Sequence, residues 1–258
     1  MYSEARKAEI RTIIGQKGTV EVNSLAEFFQ TSRETIRRDL GELEKQGALK
    51  RTHGGAMLES AAGAPESPME ERGIQQMEEK KRICRSAAEH ICSNDTLFID
   101  NSSTMIYLPR YIPSDIHLTI ITNSIGLLFE VAKVIDHNWF LISLGGTFNS
   151  NNLSVYGVDT IKNAEPYYPT KAFISCTGIS RINKIADSSP HEAEVKRMMI
   201  NRAQEVFLLA DHTKFTKTGQ VYICDFSAID HIITDKPVIG SKGEFDFLGN
   251  LDIKVVLD

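Results

Sequence analysis

The feature that most constrains the fold is a set of short apolar runs between residues 96 and 257, separated by helical stretches and polar loops. The runs are continuous rather than alternating, which is typical of parallel strands covered by helices on both faces. We therefore predict an open, mostly parallel α/β domain. The runs are TLFID (96–100), LTIIT (118–122), WFLISL (139–144), KAFISC (171–176), EVFLLAD (205–211), HIIT (231–234) and IKVVL (253–257).

Small and polar residues follow the first five runs and would lie together at the carboxyl edge of the sheet. Ligands bind at this edge of open α/β sheets, and bare amides at helix N-termini suit a phosphate. Any junction from strand to helix uses the same residues as caps and turns. A single loop is therefore weak evidence, and the ligand site is predicted because these residues gather at one edge of the sheet. The candidates are Asn101, Ser102, Ser103, Thr104, Thr122, Asn123, Ser124, Gly145, Gly146, Thr177, Gly178 and Lys214.

A second informative stretch is TSRETIRRDLGELEKQG, residues 31–47. Its apolar residues have the helical spacing i, i+4, i+7 and predict one buried stripe. Thr31 and Ser32 compete as the N-terminal cap, and the sequence does not decide between them. Gly47 is a typical stop. The residues of the stripe are Ile36, Leu40 and Leu43.

Basic residues occupy the first turns of this helix, and acidic residues occupy the later ones. A merely solvated amphipathic helix gains from the opposite order because of its macrodipole. A helix that enters the major groove instead presents its N-terminal residues to DNA. We therefore predict a DNA-reading helix, in which Asp39 pairs with an arginine of its own domain. The predicted DNA contacts are Ser32, Arg33, Thr35, Arg37 and Arg38.

The residues after this helix predict a wing. A strand, a turn and a returning strand over residues 48–57 would place Lys50, Arg51 and His53 beside a phosphate backbone. Together with two preceding helical stretches, this pattern predicts a winged helix-turn-helix. The charge distribution agrees, because residues 1–57 contain ten Lys and Arg against eight Asp and Glu, whereas the rest contains nineteen against twenty-six. A basic end on an acidic body suits a polyanionic partner for that end.

On these residues, segment 6–57 resembles the N-terminal domain of the DeoR family of bacterial transcription regulators. The family pattern S-x-x-T-I-R-R-D-L matches from Ser32 to Leu40, and the wing pattern matches at Arg51 and from Gly54 to Ala56. Residues 74–236 resemble the sensor domain of the family, which is similar in fold to ribose-5-phosphate isomerase and glucosamine-6-phosphate deaminase. This second resemblance is carried by DNSST, TNS, GGTF, Gly157, CTGIS, HEAEVKRMMI and ADHTKF.

The resemblance implies a DNA-binding regulator, expected to repress a carbohydrate operon, whose effector is a phosphorylated sugar or a related metabolite. It implies a phosphate site at residues 101–104. Glu192 and Lys196 join the candidate effector residues, either in the pocket or as an i,i+4 surface pair. Two departures from the family pattern leave the effector open. Asn149 stands where an Arg is common, and residues 184–187 replace a Gly-[Leu/Ile/Val]-Thr segment.

The alternative function is a sugar-phosphate isomerase or deaminase fused to a DNA-binding module. Asp100, Glu192 and Lys196 could supply acid–base groups, but no nucleophile–base constellation is found, so we expect a regulator rather than an enzyme. The expected partners are a double-stranded DNA operator, the effector and further copies of the chain, as a dimer or tetramer. The expected domains are 1–57 (DNA-binding), 58–72 (linker) and 73–258 (sensor).

The four cysteines lack the spacing of zinc ligands. We expect buried, reduced thiols, no metal and no cofactor. The first residues lack the apolar segment of a signal peptide, and no apolar run approaches the roughly 18 residues that span a membrane. The sequence thus predicts a cytoplasmic protein without a membrane partner.

Overall fold

The chain divides into two units, Met1–Glu66 and Ser67–Asp258, in a computed structural model. Within the described residues, no helix is both long enough and apolar enough to pass through a bilayer. The described residues are 6–7, 9–11, 13–14, 19–45, 49–51, 54–57, 67–135, 137–180, 184–235 and 252–255.

The first unit is a winged helix-turn-helix, as predicted. Its described residues between positions 6 and 14 are helical, and an antiparallel sheet of order β1-β3-β2 forms the wing. Gly55 is required where β3 pairs with β1, because a Cβ there would lie 1.9 Å from the carbonyl oxygen of Val20. The further elements are β1 (Thr19–Glu21), α1 (Val22–Phe28), α2 (Arg33–Lys45), β2 (Lys50–Arg51) and β3 (Gly55–Met57).

The predicted stripe of α2 forms the centre of this small core. Ile36, Leu40 and Leu43 are all 0% exposed and pack against Ile10 and Ile14 of the first helical stretch. The cap is Ser32 rather than Thr31, because the Ser32 hydroxyl accepts a hydrogen bond from Thr35 N at 3.2 Å. A cap of this kind satisfies one of the free amides of the first turn.

The second unit is the predicted parallel α/β domain. Each of the seven apolar runs supplies a strand of one sheet. Its helices are α3 (Met69–Ile74), α4 (Met77–Ala88), α5 (Ile125–Ala132), α6 (Val158–Ala164) and α7 (Pro190–Arg202), with 3-10 helices at Met105–Tyr111, His212–Thr216 and Phe226–Ala228. Its strands are β4 (Asp95–Ile99), β5 (Leu118–Thr122), β6 (Trp139–Ser143), β7 (Thr147–Asn149), β8 (Ser154–Tyr156), β9 (Lys171–Ile174), β10 (Gly178–Ser180), β11 (Lys184–Asp187), β12 (Glu205–Leu209), β13 (Val221–Cys224), β14 (His231–Thr234) and β15 (Asp252–Val255).

The strand order of the large sheet, β15-β14-β12-β9-β4-β5-β6, creates a switch point. From β4 the chain proceeds outward through β5 to β6, and then returns to β9 on the other side of β4. Ligand crevices form outside the carboxyl ends of strands where the order reverses in this way. A β7–β8 hairpin and a small antiparallel sheet, β10-β11-β13, are accessory to the main sheet.

The second unit begins at Ser67, inside the predicted linker 58–72, and Met69 is buried at the start of α3. Ile74 and Met77 are 74% and 37% exposed, since α3 ends between them. The expectation of four buried thiols is wrong at one position. Cys92 is exposed because it follows the end of α4, whereas the other cysteines are buried and all four are free thiols.

The predicted pairing of Asp39 with an arginine is confirmed. Arg6 Nε donates to Asp39 Oδ2 at 2.5 Å, and the two side chains are 8% and 0% exposed. The hydrogen bond to Asp39 raises the pKa of Arg6. This pair ties the first helical stretch to α2, so the orientation of α2 depends on a buried ion pair.

We therefore expect Asp39→Asn to destabilise the first unit by about 3–5 kcal/mol, because it leaves the buried Arg6 guanidinium without its counter-charge. Glu42→Gln is the control, since Glu42 pairs with Lys7 at 2.8 Å and its side chain is 45% exposed; such pairs contribute less than about 1 kcal/mol. Amide hydrogen exchange in α2 of the full chain, measured along a urea titration, gives the free energy of unfolding of the first unit in both variants. Equal effects would contradict the account.

Candidate functional site

One face of α2 is exposed and basic. Its first turns present guanidinium groups to solvent, and an exposed contact of 3.5 Å joins Arg37 to Glu34. Such surface pairs are weak, so Arg37 keeps its charge available for an anionic partner. The exposed candidate residues are Ser32, Arg33, Arg37, Arg38 and Arg51; Thr35 is half-buried and shares a hydrogen bond with the Ser32 hydroxyl.

The wing is attached to α2 at Arg51. Its amide donates to Glu44 Oε1 at 2.8 Å, and its guanidinium lies beside Gly41 of the helix. This contact brings the wing and the basic face of α2 onto one surface. Lys50 lies next to Arg51 in β2, and His53 lies outside the described residues.

Two acidic residues of α2 are neutralised inside their own unit. Asp39 pairs with Arg6, and Glu42 accepts from Lys7 Nζ at 2.8 Å, which lowers the pKa of Glu42. These carboxylates therefore repel an approaching phosphate backbone less than free acids would. The arrangement explains how a helix with several acids can still meet DNA.

A second site lies at the switch point of the large sheet and is organised by Lys196 of α7. Its ammonium lies 2.7 Å from Asp187 Oδ2 and 3.3 Å from Asp100 Oδ2, and all three side chains are buried. Asp100 also accepts from the amides of Ser102 and Ser175 at 2.9 Å. One buried cation thus joins the ends of β4, β9 and β11.

The titration of this cluster follows from its burial and its pairing. Burial acts to lower the pKa of Lys196, but the charges of Asp187 and Asp100 hold it above the ordinary lysine value. Burial acts to raise the pKa of Asp187, but Lys196 and the amides of Ser188 and Ser189 keep it below the ordinary value. Lys196 and Asp187 therefore stay charged near neutral pH, and together with Asp100 they form a fixed framework.

Glu192 lies one turn before Lys196 on α7 and is also buried, at 2% exposure. Its Oε1 accepts from Ser154 Oγ at 2.7 Å and from Asn152 Nδ2 at 3.1 Å, whereas its buried Oε2 has no partner within the described structure. Burial raises the pKa of Glu192. The interpretation of Glu192 and Lys196 as a surface pair is wrong, because each binds groups inside the unit.

Lys80 of α4 brings a further cation to the same edge. It is 3% exposed, and its Nζ donates to Ser103 Oγ at 2.9 Å and to the carbonyl oxygen of Arg72 at 2.5 Å. Burial, followed by the charge of Lys214, lowers the pKa of Lys80 to about 8. Arg72 and Lys217 act in the same direction, and Asp211 opposes them. Several cations therefore converge on the loop at residues 101–104.

The polar groups form a connected chain around this edge. Arg72 Nη2 donates to Asn152 Oδ1 at 2.8 Å, and Asn152 in turn donates to Glu192.

Two further buried atoms at this edge have no partner within the described structure, Ser102 Oγ and Asn123 Oδ1. Buried polar atoms without partners are costly. A ligand that hydrogen-bonds to them would offset this cost.

The structure gives several predicted site residues a local role. Thr122 Oγ1 donates to the Ile99 carbonyl at 2.6 Å, and Ser124 Oγ caps α5 by accepting from Leu127 N. Thr177 Oγ1 accepts from Ser188 N at 3.1 Å. These contacts shape the loops, and the assignment of these residues to an effector stays a prediction. Asn101, Ser103 and Thr104 are buried in the loop after β4, and Lys214 is half-buried.

The predicted glycines are explained by close approach. Gly146 has φ 122°, and a Cβ there would lie 2.1 Å from Thr160 Oγ1, whose hydroxyl donates to the Gly145 carbonyl. A Cβ at Gly178 would lie 2.3 Å from the Lys217 carbonyl oxygen. Packing therefore accounts for Gly146 and Gly178 without a ligand, and the positive φ of 63° favours glycine at Gly145.

The two departures from the family pattern both shape the pocket edge. Asn149 Oδ1 accepts from the amides of Asn151 and Asn152, at 3.1 and 3.4 Å, and so forms the turn that presents Asn152. Lys184, in the place of a family glycine, has φ 55°. This left-handed conformation favours glycine, and it leads into the strand that ends at Asp187.

A polar cleft at the opposite edge of the sheet is a weaker candidate. It is lined in part by Asp95, Lys171, Glu205 and His231. Lys171 pairs with Asp95 at 2.8 Å, and His231 Nε2 lies 2.7 Å from Glu205 Oε1. The cleft lies at the amino ends of the strands, where open sheets do not place their ligands. We interpret these pairs as structural.

An exposed basic helix with a wing, followed by a buried polar cluster at the switch point of a parallel sheet, defines a DNA-binding unit joined to a sensor unit. Residues 6–62 match the family model of the DeoR-like helix-turn-helix domain, and residues 75–236 match that of the DeoR C terminal sensor domain. The chain belongs to the DeoR family of transcriptional regulators.

Relatives match over most of the chain. An uncharacterised HTH-type transcriptional regulator of Bacillus subtilis, YulB, is 34% identical over 91% of this chain and 90% of its own length. The glycerol-3-phosphate regulon repressor of Escherichia coli is 31% identical over 92% of both chains. The lactose phosphotransferase system repressor of Streptococcus mutans is 33% identical over 91% of this chain and 93% of its own. These relatives are regulators rather than enzymes.

Among solved structures, ribose 5-phosphate isomerase A from Methanocaldococcus jannaschii is similar over 54% of this chain and 55% of its own, at 12% identity and a TM-score of 0.40. The fold described above rests on the strand order of this chain itself.

Sequence reasoning missed four groups of the pocket: Arg72, Lys80, Asn152 and Asp187. Arg72 fell within the expected linker, and Lys80 lies among the charges of EEKKR, where nothing separates a buried lysine from its half-buried neighbour Lys81. Asp187 was noted only as part of a departure from the family. The signal that could have identified it is its position directly after a short apolar strand.

We expect Lys80→Met to fold at least as stably as the wild type, because replacing a buried charge by an apolar side chain of similar size is often neutral or stabilising. The variant should lose stabilisation by sulfate. At a sulfate concentration tenfold above Kd, the wild type should gain about 1.4 kcal/mol, or roughly 3–6 °C in Tm. Thermal unfolding of the full chain measures both. Lys81→Met, next on the same helix, is the control and should behave as the wild type.

The same titration has a predicted pH dependence. Sulfate keeps its charge between pH 7 and 9, whereas Lys80 loses its proton as pH rises through its pKa of about 8. The rise in Tm that sulfate produces in the wild type should therefore become smaller over this pH range. In Lys80→Met the effect of sulfate on Tm should not change with pH. A wild-type response that is constant or rises with pH would contradict the assignment of Lys80 to the anion.

Proposed function

We propose that the protein is a repressor of a carbohydrate-metabolism operon that is controlled by a phosphorylated sugar or a related metabolite. The observation that carries this proposal is that one chain has both an exposed basic α2 and a buried lysine, Lys80, surrounded by further cations. Several regulators similar to this chain have names that refer to glycerol-3-phosphate or to sugars. Their names support the class of effector and do not identify it.

The DNA contacts are assigned to the exposed residues of α2 and to the wing. Arg33, Arg37 and Arg38 would approach phosphates and base edges from the first two turns, as recognition helices do. Ser32 and Thr35 lie at the same end, and Lys50, Arg51 and His53 would contact the backbone beside the groove. A second copy of the chain would supply the second half-site, because operator symmetry mirrors the symmetry of a dimer.

The phosphate of the effector is assigned to the loop at residues 101–104 together with Lys80 and Lys214. A buried ammonium beside a hydroxyl is a strong donor pair for a phosphate oxygen. The sugar hydroxyls are assigned to the acceptor atoms that lack partners, Asn123 Oδ1 and Glu192 Oε2. These acceptors and the cationic end give the pocket two chemically different ends, which suits a molecule with a phosphate and several hydroxyls.

The double variant Arg37→Ala and Arg38→Ala tests the DNA interface. Both side chains are exposed, so the unit should keep its fold while operator affinity falls by about a hundredfold or more. If both arginines contact phosphates, the slope of log K against log salt should become shallower by about 1.8. Footprinting on the DNA upstream of the protein's own gene, repeated at several salt concentrations, gives both values.

The matched control removes two exposed lysines of the second unit, Lys133→Ala and Lys162→Ala, and changes net charge by the same amount. It should leave operator affinity and its salt dependence close to the wild type. Unchanged binding by the arginine variant, or equal losses in both double variants, would refute the role assigned to α2.

A further inference from the structure

The helix α3 is the first element of the second unit in chain order, and it is docked on the pocket by three polar contacts. Met69 N donates to the Asn151 carbonyl at 2.8 Å, and Arg72 Nη2 donates to Asn152 Oδ1 at 2.8 Å. The hydroxyl of Tyr107 donates to the Gly73 carbonyl at 2.9 Å. These contacts reach the β7–β8 turn and the 3-10 helix that follows the loop at residues 101–104.

A fourth contact joins α3 to the cationic centre. Lys80 Nζ donates both to the Arg72 carbonyl and to Ser103 Oγ, so one ammonium bridges α3 and the loop at residues 101–104. Arg72, Lys214 and Lys217 lie close enough to repel this ammonium, and Asp211 is the nearby carboxylate. The same cations that would bind an anion therefore also determine how firmly α3 is held.

The helix is short and buries few residues. It has six residues and no side-chain cap, and it is separated from α4 by Gln75 and by Gln76, which has φ 51°. Its buried residues are Met69 and Gly73, whereas Ile74 is 74% exposed. So short a helix is not stable alone, and elements with few buried apolar contacts open first.

We propose that α3 is a strap that an anion bound at Lys80 clamps onto the second unit through Arg72. The anion neutralises the repulsion among Arg72, Lys80 and Lys214, and it draws Arg72, and with it α3, toward the loop at residues 101–104. Without the anion, α3 opens more often. The inference rests on the proposed effector site and adds to it both Arg72 and the element that reports its occupancy.

The consequence for regulation follows from chain order. Residues 58–66 connect the DNA-binding unit to α3 in sequence, so the state of α3 sets where that connection leaves the second unit. A change in that point is a physical route from occupancy of the anion site to the DNA-binding unit.

Amide hydrogen exchange of the full chain tests the strap, with inorganic phosphate as the probe and chloride of equal ionic strength as the reference. Phosphate should slow exchange in residues 69–75 by roughly fivefold or more, the lower end of coupling between sites in proteins. Helix α5 (Ile125–Ala132) is the internal reference and should not change. Lys80→Met should abolish the effect, and Lys81→Met should preserve it.

Arg72→Gln separates the strap from the anion site. This variant loses the charge but keeps an amide that can reach Asn152. Phosphate should stabilise it in thermal unfolding less than the wild type but more than Lys80→Met, while α3 gains no protection. If phosphate stabilises the wild type through Lys80 but leaves α3 exchange unchanged or faster, the strap is overturned and the effector site stands. A full gain of protection in Arg72→Gln would also overturn it. If phosphate does not stabilise the wild type, both proposals fail.

Discussion

The buried ion cluster of Lys196 with Asp100 and Asp187 is the interaction on which the rest of the second unit depends. It joins α7 to the ends of β4 and β11, and Asp100 extends it to β9 through the amide of Ser175. Desolvating three charges is expensive, and a buried cluster of this kind is weak evidence for stability. Its contribution is positional, because it fixes the loops of the switch point beside Lys80 and Glu192.

The two units differ in how their basic side chains are balanced by acidic ones. In the first, Asp39 and Glu42 are neutralised by Arg6 and Lys7, which leaves the arginines of α2 to set the potential of the exposed face. In the second, cations are gathered around Lys80 with fewer counter-charges, and the pKa of that lysine falls. The exposed arginines of α2 stay solvated, so their charges cost little. The buried ammonium of Lys80 is instead stabilised when an anion binds beside it.

The sequence predicted the fold well and the site only in part, for physical reasons. Continuous apolar runs predict strands, and each of the seven runs supplies a strand of the large sheet. The stripe of Ile36, Leu40 and Leu43 predicts burial, and all three residues lie in the core of the first unit. The strand-end loops were placed at one edge because parallel topology requires it. Lys80 and Arg72 were missed because a lysine or arginine on a polar helix carries no local sign of its burial, which is decided by tertiary packing.

The central claim is that a phosphate-bearing metabolite, held through Lys80, alters DNA binding. The most direct measurement is a gel shift on the DNA upstream of the protein's own gene, with glucose 6-phosphate, fructose 6-phosphate, fructose 1-phosphate, glycerol 3-phosphate and their unphosphorylated parents. The account predicts that at least one phosphorylated compound shifts the affinity of the wild type, that its parent does not, and that Lys80→Met binds the DNA normally but does not respond. A response to the parent compound, or an equal response of Lys80→Met, would contradict it.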